Sequence, residues 1–115
     1  MEIRHIGIVV EDLDEAIKVY EFLGFDGLST CTEIWNGKKL QVVKLWASDR
    51  SIGTVIELIK GAWWNHVCFG VNKEELSHFL KTSELLTMKQ KDNHNVYFVT
   101  GPGNQVFELY YKKGE

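Results

Sequence analysis

The spacing of apolar residues in the first half of the chain predicts a strand, a helix and three further strands. β-Branched residues dominate positions 3–10 and predict a strand, and apolar residues then recur at helical spacing from Leu13 to Leu23. Asp12, with Glu15 three residues on, is a typical helix start, and Gly24 is a typical helix end. Strand-like segments follow at about 27–35, 39–47 and 53–59.

The second half of the chain repeats this order of elements. A strand is predicted over 65–71, Asn72 and Glu75 mark a helix start, and Leu76, Phe79 and Leu80 form its apolar stripe. Strands are then predicted at about 85–90, 95–100 and 105–111. The chain therefore predicts one α+β domain over 1–115, built from two βαβββ repeats at about 1–60 and 64–113.

The composition restricts the function classes only broadly. A hydrophobic content of 44%, a charged content of 25% and a net charge of −3 are ordinary for a soluble domain. No basic stretch indicates nucleic-acid binding, and no apolar run approaches the roughly 20 residues that a membrane span needs. Cys31 and Cys68 lie in strand-like runs and are expected to be buried and reduced, as in a cytoplasmic protein.

Each repeat contributes one histidine and one glutamate at matching positions. His5 opens the apolar run of the first strand, and His66 opens the corresponding run in the second repeat. Glu57 lies in Val55-Ile56-Glu57-Leu58, and Glu108 lies in the near-identical Val106-Phe107-Glu108-Leu109. Because side chains alternate along a strand, all four polar side chains are expected on the sheet face turned away from the helices.

This arrangement predicts a divalent metal site. A single His or Glu in a strand is usually exposed or hydrogen-bonded to a neighbour, but a carboxylate flanked by aliphatic residues is costly to bury without a cation. Two neutral imidazoles and two carboxylates form a suitable ligand set. His78 and His94 are expected to be surface residues. Tyr110 shares a face with Glu108, Cys68 shares one with His66, and Trp46 is a further candidate for the pocket wall.

These motifs resemble the vicinal oxygen chelate superfamily, which includes glyoxalase I, methylmalonyl-CoA epimerase, extradiol dioxygenases and bleomycin resistance proteins. The run from Arg4 to Ala16, which begins Arg4-His5-Ile6-Gly7-Ile8-Val9-Val10, is similar to the start of an epimerase. The segment from Gly101 to Leu109 resembles the superfamily's closing Asp-Pro-x-Gly-Asn-x-x-Glu-Leu, with Asn104 at a glycine position. The resemblance implies two modules that form an open-sided mixed β-barrel with the helices outside.

The resemblance also implies a ligand set and a reaction class. The metal ligands would be His5, Glu57, His66 and Glu108, and the ion would be Ni, Co, Zn, Mn or Fe. Glu57 or Glu108 would remove a proton next to a carbonyl that the ion polarises, as in a lyase or isomerase of glyoxalase or epimerase type. Val9 stands where glutathione-dependent glyoxalases carry an arginine, so a glutathione adduct is not the expected substrate.

Two other functions remain open. The chain could be a metal-free protein that binds a small molecule, as resistance proteins of the superfamily do. It could also be an iron-dependent dioxygenase, although Glu57 would then crowd the position that oxygen needs. The expected partners are a small-molecule substrate and, as is common in the superfamily, a second copy of the chain in a homodimer.

Overall fold

The computed structural model describes residues 1–47 and 55–114, and these form two compact units. The first-repeat unit comprises His5–Asn65, and the second-repeat unit comprises Met1–Arg4 with His66–Glu115. Residues 53 and 54, predicted to begin a strand, lie outside the described residues.

The first repeat has the predicted order of elements. These are β1 (Glu2–Val9), α1 (Leu13–Phe22), β2 (Phe25–Trp35), β3 (Lys38–Ala47) and β4 (Val55–Lys60). Its strands lie in the order β2-β3-β4-β1, with β1 parallel to β4 and the other neighbours antiparallel. Helix α1 packs on one face of this sheet, over a core that contains Val43, Leu45, Ile56 and Leu58.

The second repeat has the same topology. Its elements are β5 (His66–Val71), α2 (Lys73–Thr82), β6 (Leu85–Gln90), β7 (His94–Thr100) and β8 (Val106–Lys112), with a 3₁₀ turn at Pro102–Asn104. The strand order is β5-β8-β7-β6, with β5 parallel to β8. The core contains Val71, Leu76, Tyr97, Val99 and Leu109. The predicted βαβββ repeat is therefore confirmed in each half.

Residues with positive φ close two of the turns that connect strands. Asn36 and Gly37, with φ of 50° and 78°, form the tight turn between β2 and β3. Gly103 and Asn104 have φ of 67° and 60° before β8. Asn104 thus occupies the left-handed region, which asparagine tolerates better than most residues, in place of the glycine of the superfamily pattern.

Side-chain caps start both helices. Asp12 accepts a hydrogen bond from the backbone N–H of Glu15 at 3.1 Å. In α2 the bonds are reciprocal, because Asn72 accepts from Glu75 N–H at 2.8 Å and Glu75 accepts from Asn72 N–H at 3.0 Å. This bond from the Asn72 backbone is the main cause that lowers the pKa of Glu75.

We expect Asn72→Ala to lower the free energy of unfolding by about 1 kcal/mol, because it removes the acceptor for an N–H group of the first helical turn. The measurement is urea denaturation followed by circular dichroism. Lys73→Ala, at the next position, is the matched control and should have a smaller effect. Equal stability of Asn72→Ala and the wild type would contradict the role of the cap.

The two cysteines differ in exposure. Cys68 is buried in β5, as expected, but Cys31 is exposed, and the expectation that it is buried was wrong. Cys31 lies on β2, which is the edge strand of the first-repeat sheet, where fewer neighbouring strands cover a side chain. Among the described residues, no helix has both the length and the apolar character needed to cross a membrane.

Candidate metal centre

The first-repeat unit brings His5 and Glu57 into direct contact. In the parallel pairing of β1 with β4, Gly7 lies opposite Glu57, so His5 lies two residues away on the same face. His5 Nδ1 is 2.9 Å from Glu57 Oε2, and the side chains are only 11% and 13% exposed. Gly7 leaves room for this contact, because it places no side chain on the face that the two polar groups share.

The second-repeat unit forms the equivalent pair from His66 and Glu108. His66 Nε2 is 3.0 Å from Glu108 Oε1, with the side chains 2% and 14% exposed. The His66 ring also packs edge-on against Phe98, with centroids 5.1 Å apart. Phe98 lies opposite Glu108 in the antiparallel pairing of β7 with β8, so an aromatic ring forms part of the surroundings of the pair.

The spacing of each pair fits a metal ion. Two ligand atoms about 2.1 Å from one ion, at the angles of octahedral or tetrahedral coordination, lie roughly 3.0–3.4 Å apart. The nitrogen–oxygen distances of 2.9 Å and 3.0 Å are close to this range. The same distances also suit an N–H···O hydrogen bond between an imidazole and a carboxylate. The two side chains of each pair can therefore form a hydrogen bond with each other or coordinate a metal ion.

The residues predicted to line the pocket lie on the same sheet faces as the pairs. Cys68, 1% exposed, is directly opposite Glu108 in the pairing of β5 with β8. Tyr110 is half-buried and lies two residues beyond Glu108 on β8. Trp46 is half-buried in the first-repeat unit, opposite Val55. It shares its face with Glu57, because side chains alternate along both strands.

One cation was missed in the sequence analysis. Lys44 lies directly opposite Glu57 in the antiparallel pairing of β3 with β4, and it is half-buried. Facing residues of neighbouring strands place their side chains on the same face of the sheet. A lysine side chain therefore shares the face on which His5 and Glu57 meet. The sequence alone does not show that Lys44 faces Glu57, because this depends on the register in which β3 pairs with β4.

Arg4 and His94 flank Tyr110, and this arrangement was also missed. The Arg4 guanidinium carbon is 3.9 Å from the centroid of the Tyr110 ring. The His94 ring stacks on Tyr110, with centroids 4.5 Å apart and planes at 29°. His94 was predicted to be a surface residue, but β7 begins one residue earlier than predicted, so His94 belongs to the strand and is half-buried.

The environment of His94 favours its neutral form. Its pKa is lowered, first by partial burial and then by the positive charges of Lys91, Arg4 and Lys113, while Glu108 acts in the opposite direction. Three cations thus act on His94 through space. Cations therefore lie around the Tyr110–His94 stack, together with the carboxylate of Glu108.

No family model and no curated protein matches the sequence. Solved structures do match. Methylmalonyl-CoA epimerase from Mycobacterium tuberculosis is 20% identical, with a TM-score of 0.64 over 96% of this chain and 87% of the epimerase. A variant of the Streptomyces coelicolor epimerase, in complex with 2-nitronate-propionyl-CoA, is 17% identical, with a TM-score of 0.60 over 99% of each chain.

A mutant of glyoxalase I from Zea mays is 16% identical, with a TM-score of 0.64 over 100% of this chain and 44% of that one. At these identities the likeness concerns the fold alone. It agrees with the topology of both repeats and with the resemblance of the sequence motifs. The chain therefore has the fold of the vicinal oxygen chelate superfamily.

Proposed function

We propose that the chain is a metal-dependent lyase or isomerase that removes a proton next to a carbonyl group of a small molecule. The observation that carries this proposal is the pairing of one imidazole with one carboxylate, at about 3 Å, in each repeat. One divalent ion would be held by both pairs, which supply the ligands His5, Glu57, His66 and Glu108. The fold shared with an epimerase and a glyoxalase supports this reaction class.

The donor set is suited to several ions. Imidazole nitrogen suits Zn, Ni, Co and Fe, and carboxylate oxygen also suits Mn. Two carboxylates offset the charge of a divalent ion, so the buried assembly would be close to neutral. The low exposure of all four side chains limits their contact with water, which strengthens their electrostatic interactions.

The division of chemical roles follows from the residues. A bound divalent ion would act as a Lewis acid for the carbonyl oxygen of the substrate. Glu57 or Glu108 would accept the proton from the neighbouring carbon and return it to the same or the adjacent carbon. His5 and His66 would hold the ion through the ring nitrogens that face Glu57 and Glu108, and so keep it next to both carboxylates. Tyr110 and Phe98 would limit the access of water to the reacting carbon.

The number of ions bound per chain tests the proposal. Tag-free protein, stripped with a chelator, is titrated with Ni²⁺ in a calorimeter, and we expect one high-affinity ion per chain. His66→Ala should abolish this binding, whereas His78→Ala, at an exposed histidine of α2, should not. Two ions per chain would show that each pair acts as a separate site. Failure to bind Ni²⁺, Co²⁺, Zn²⁺ or Mn²⁺ would overturn the proposal and favour a metal-free binding protein.

A further inference from the structure

A cleft of about 430 Å³ opens in the second-repeat unit beside Tyr110. Its lining includes Arg4, Gly70, Glu75, Tyr110 and Lys112. The cleft lies close to one half of the proposed metal centre, because Tyr110 is two residues beyond Glu108 on β8. Residues two apart on a strand point to the same side and are about 7 Å apart. A substrate held at Glu108 could therefore extend into this cleft.

Arg4 is held across this cleft by an aromatic ring. Its guanidinium carbon lies 3.9 Å from the Tyr110 centroid, a cation–π contact that helps to hold the guanidinium next to the ring. The guanidinium also forms an ion pair with Glu2 at 3.7 Å, in which the side chains are 42% and 73% exposed. Exposed ion pairs of this kind contribute little. An incoming oxyanion could therefore replace Glu2 at Arg4.

Gly70 gives the side chains of Glu2 and Arg4 the space that they occupy. A Cβ atom at Gly70 would lie 3.1 Å from Glu2 Cγ and Oε1 and 3.4 Å from Arg4 Cδ. A side chain at this position would displace the exposed Glu2 side chain first, since the distance to Arg4 is an ordinary van der Waals contact. Gly70 therefore leaves space in the cleft for the ion pair of Glu2 with Arg4.

The charges around the cleft favour an anion. Four charged side chains line it, the cations Arg4 and Lys112 and the carboxylates Glu2 and Glu75. Lys91 and Lys113 add positive charge nearby, because both lower the pKa of His94, whose ring stacks on Tyr110. Both carboxylates already have partners. Glu2 pairs with Arg4, and Glu75 accepts a hydrogen bond from the backbone N–H of Asn72 and lies 3.3 Å from the amino group of Met1. Arginine in this setting can bind a carboxylate or phosphate through two N–H groups at once.

We infer that this cleft binds an anionic group of the substrate, a carboxylate or a phosphate, through Arg4 and Lys112. The inference rests on the proposed function and adds a substrate class to it. Glu108 and Tyr110 are about 7 Å apart along β8. The substrate is then an acid in which several bonds separate the anionic group from the carbon that loses the proton.

Three probes test this inference on the Ni²⁺-loaded protein. The first probe, 2-oxopentanoate, has a 2-oxo acid group that can chelate the ion and a methyl group at its other end. The second, 2-oxoglutarate, has the same number of carbons but a carboxylate in place of that methyl group. The third, 2-oxo-4-phosphonobutanoate, carries a phosphonate there instead. We expect 2-oxoglutarate, 2-oxo-4-phosphonobutanoate or both to bind about tenfold more tightly than 2-oxopentanoate. The one that binds more tightly identifies the anionic group that the cleft prefers.

Arg4→Gln should reduce this tenfold ratio to about one, and Lys112→Gln should lower it as well. Lys38→Gln, at an exposed position of the first-repeat unit, is the matched control and should leave the ratio unchanged. Equal affinity of the wild type for all three probes, or a ratio that survives Arg4→Gln, would overturn the inference. Either result would leave metal binding, and with it the proposed function, intact.

A second measurement separates the two proposals if no metal binds. The metal-free protein is titrated with glutarate and with inorganic phosphate, and the amide signals of Gly70 and Lys112 are followed by NMR. We expect saturable shifts with at least one anion, which Arg4→Gln abolishes. Shifts without metal binding would support the cleft and contradict the metal centre. The absence of shifts in the wild type would count against the cleft.

Discussion

Glu108→Ala is expected to lower the affinity of the protein for Ni²⁺ by at least about 100-fold. Loss of a group that only supports a metal ligand typically costs 10- to 100-fold in affinity, and the loss of a ligand itself costs at least as much. The effect should be large at this position, because the substitution also leaves His66, 2% exposed, without the carboxylate that it contacts at 3.0 Å. The measurement is calorimetric titration of the chelator-treated variant.

The matched control for this variant is Glu84→Ala, which removes an exposed carboxylate from the same unit, outside both pairs. Its Ni²⁺ affinity should equal that of the wild type. Circular dichroism of both variants establishes that the fold is retained. If Glu108→Ala bound Ni²⁺ as tightly as the wild type, Glu108 would not be a ligand, and its contact with His66 would be only a buried hydrogen bond.

The second large effect concerns the proton transfer. At saturating Ni²⁺, either Glu57→Gln or Glu108→Gln is expected to slow carbon–hydrogen exchange by about 10²–10⁴-fold, while the other variant stays within about tenfold of the wild type. An amide retains an oxygen that can bind a metal, but it cannot accept a proton at neutral pH. The variant with the larger loss identifies the base.

The exchange can be measured without the natural substrate. Deuterium uptake at C3 of 2-oxoglutarate, next to its ketone, is followed by ¹H NMR in D₂O, with and without protein. His78→Gln, at an exposed histidine, is the control and should leave the rate unchanged. If both Gln variants exchanged as fast as the wild type, neither carboxylate would be the base, and the lyase or isomerase proposal would lose its proton acceptor.

Most of the fold could be predicted from the sequence, because the signals are local. Asp12 and Asn72 each cap a helix as predicted, since the acceptor and its N–H are three residues apart. The predicted strand over 85–90 agrees with Leu85–Gln90 of β6, and the other described strand ends agree or differ by at most two residues. Cys31 was misplaced because apolar character does not distinguish an edge strand from a central one.

The candidate site could be predicted in part. Alternation along the strands was enough to put His5 and Glu57 on one face, and likewise His66 and Glu108. The positions of Lys44 opposite Glu57 and of His94 against Tyr110 could not be predicted, because they depend on the strand register between segments distant in the sequence. The binding of one ion by both pairs stays a prediction.

The sequence by itself determined the doubled βαβββ pattern and the side of each strand on which its polar residues lie, since both follow from spacings within a few residues. Only the tertiary structure decided that His5 Nδ1 and Glu57 Oε2, or His66 Nε2 and Glu108 Oε1, lie within hydrogen-bond distance. It also decided that Arg4 lies over Tyr110. The physical reason is that these contacts join separate strands, whose relative register is set by packing and backbone hydrogen bonds along their whole length.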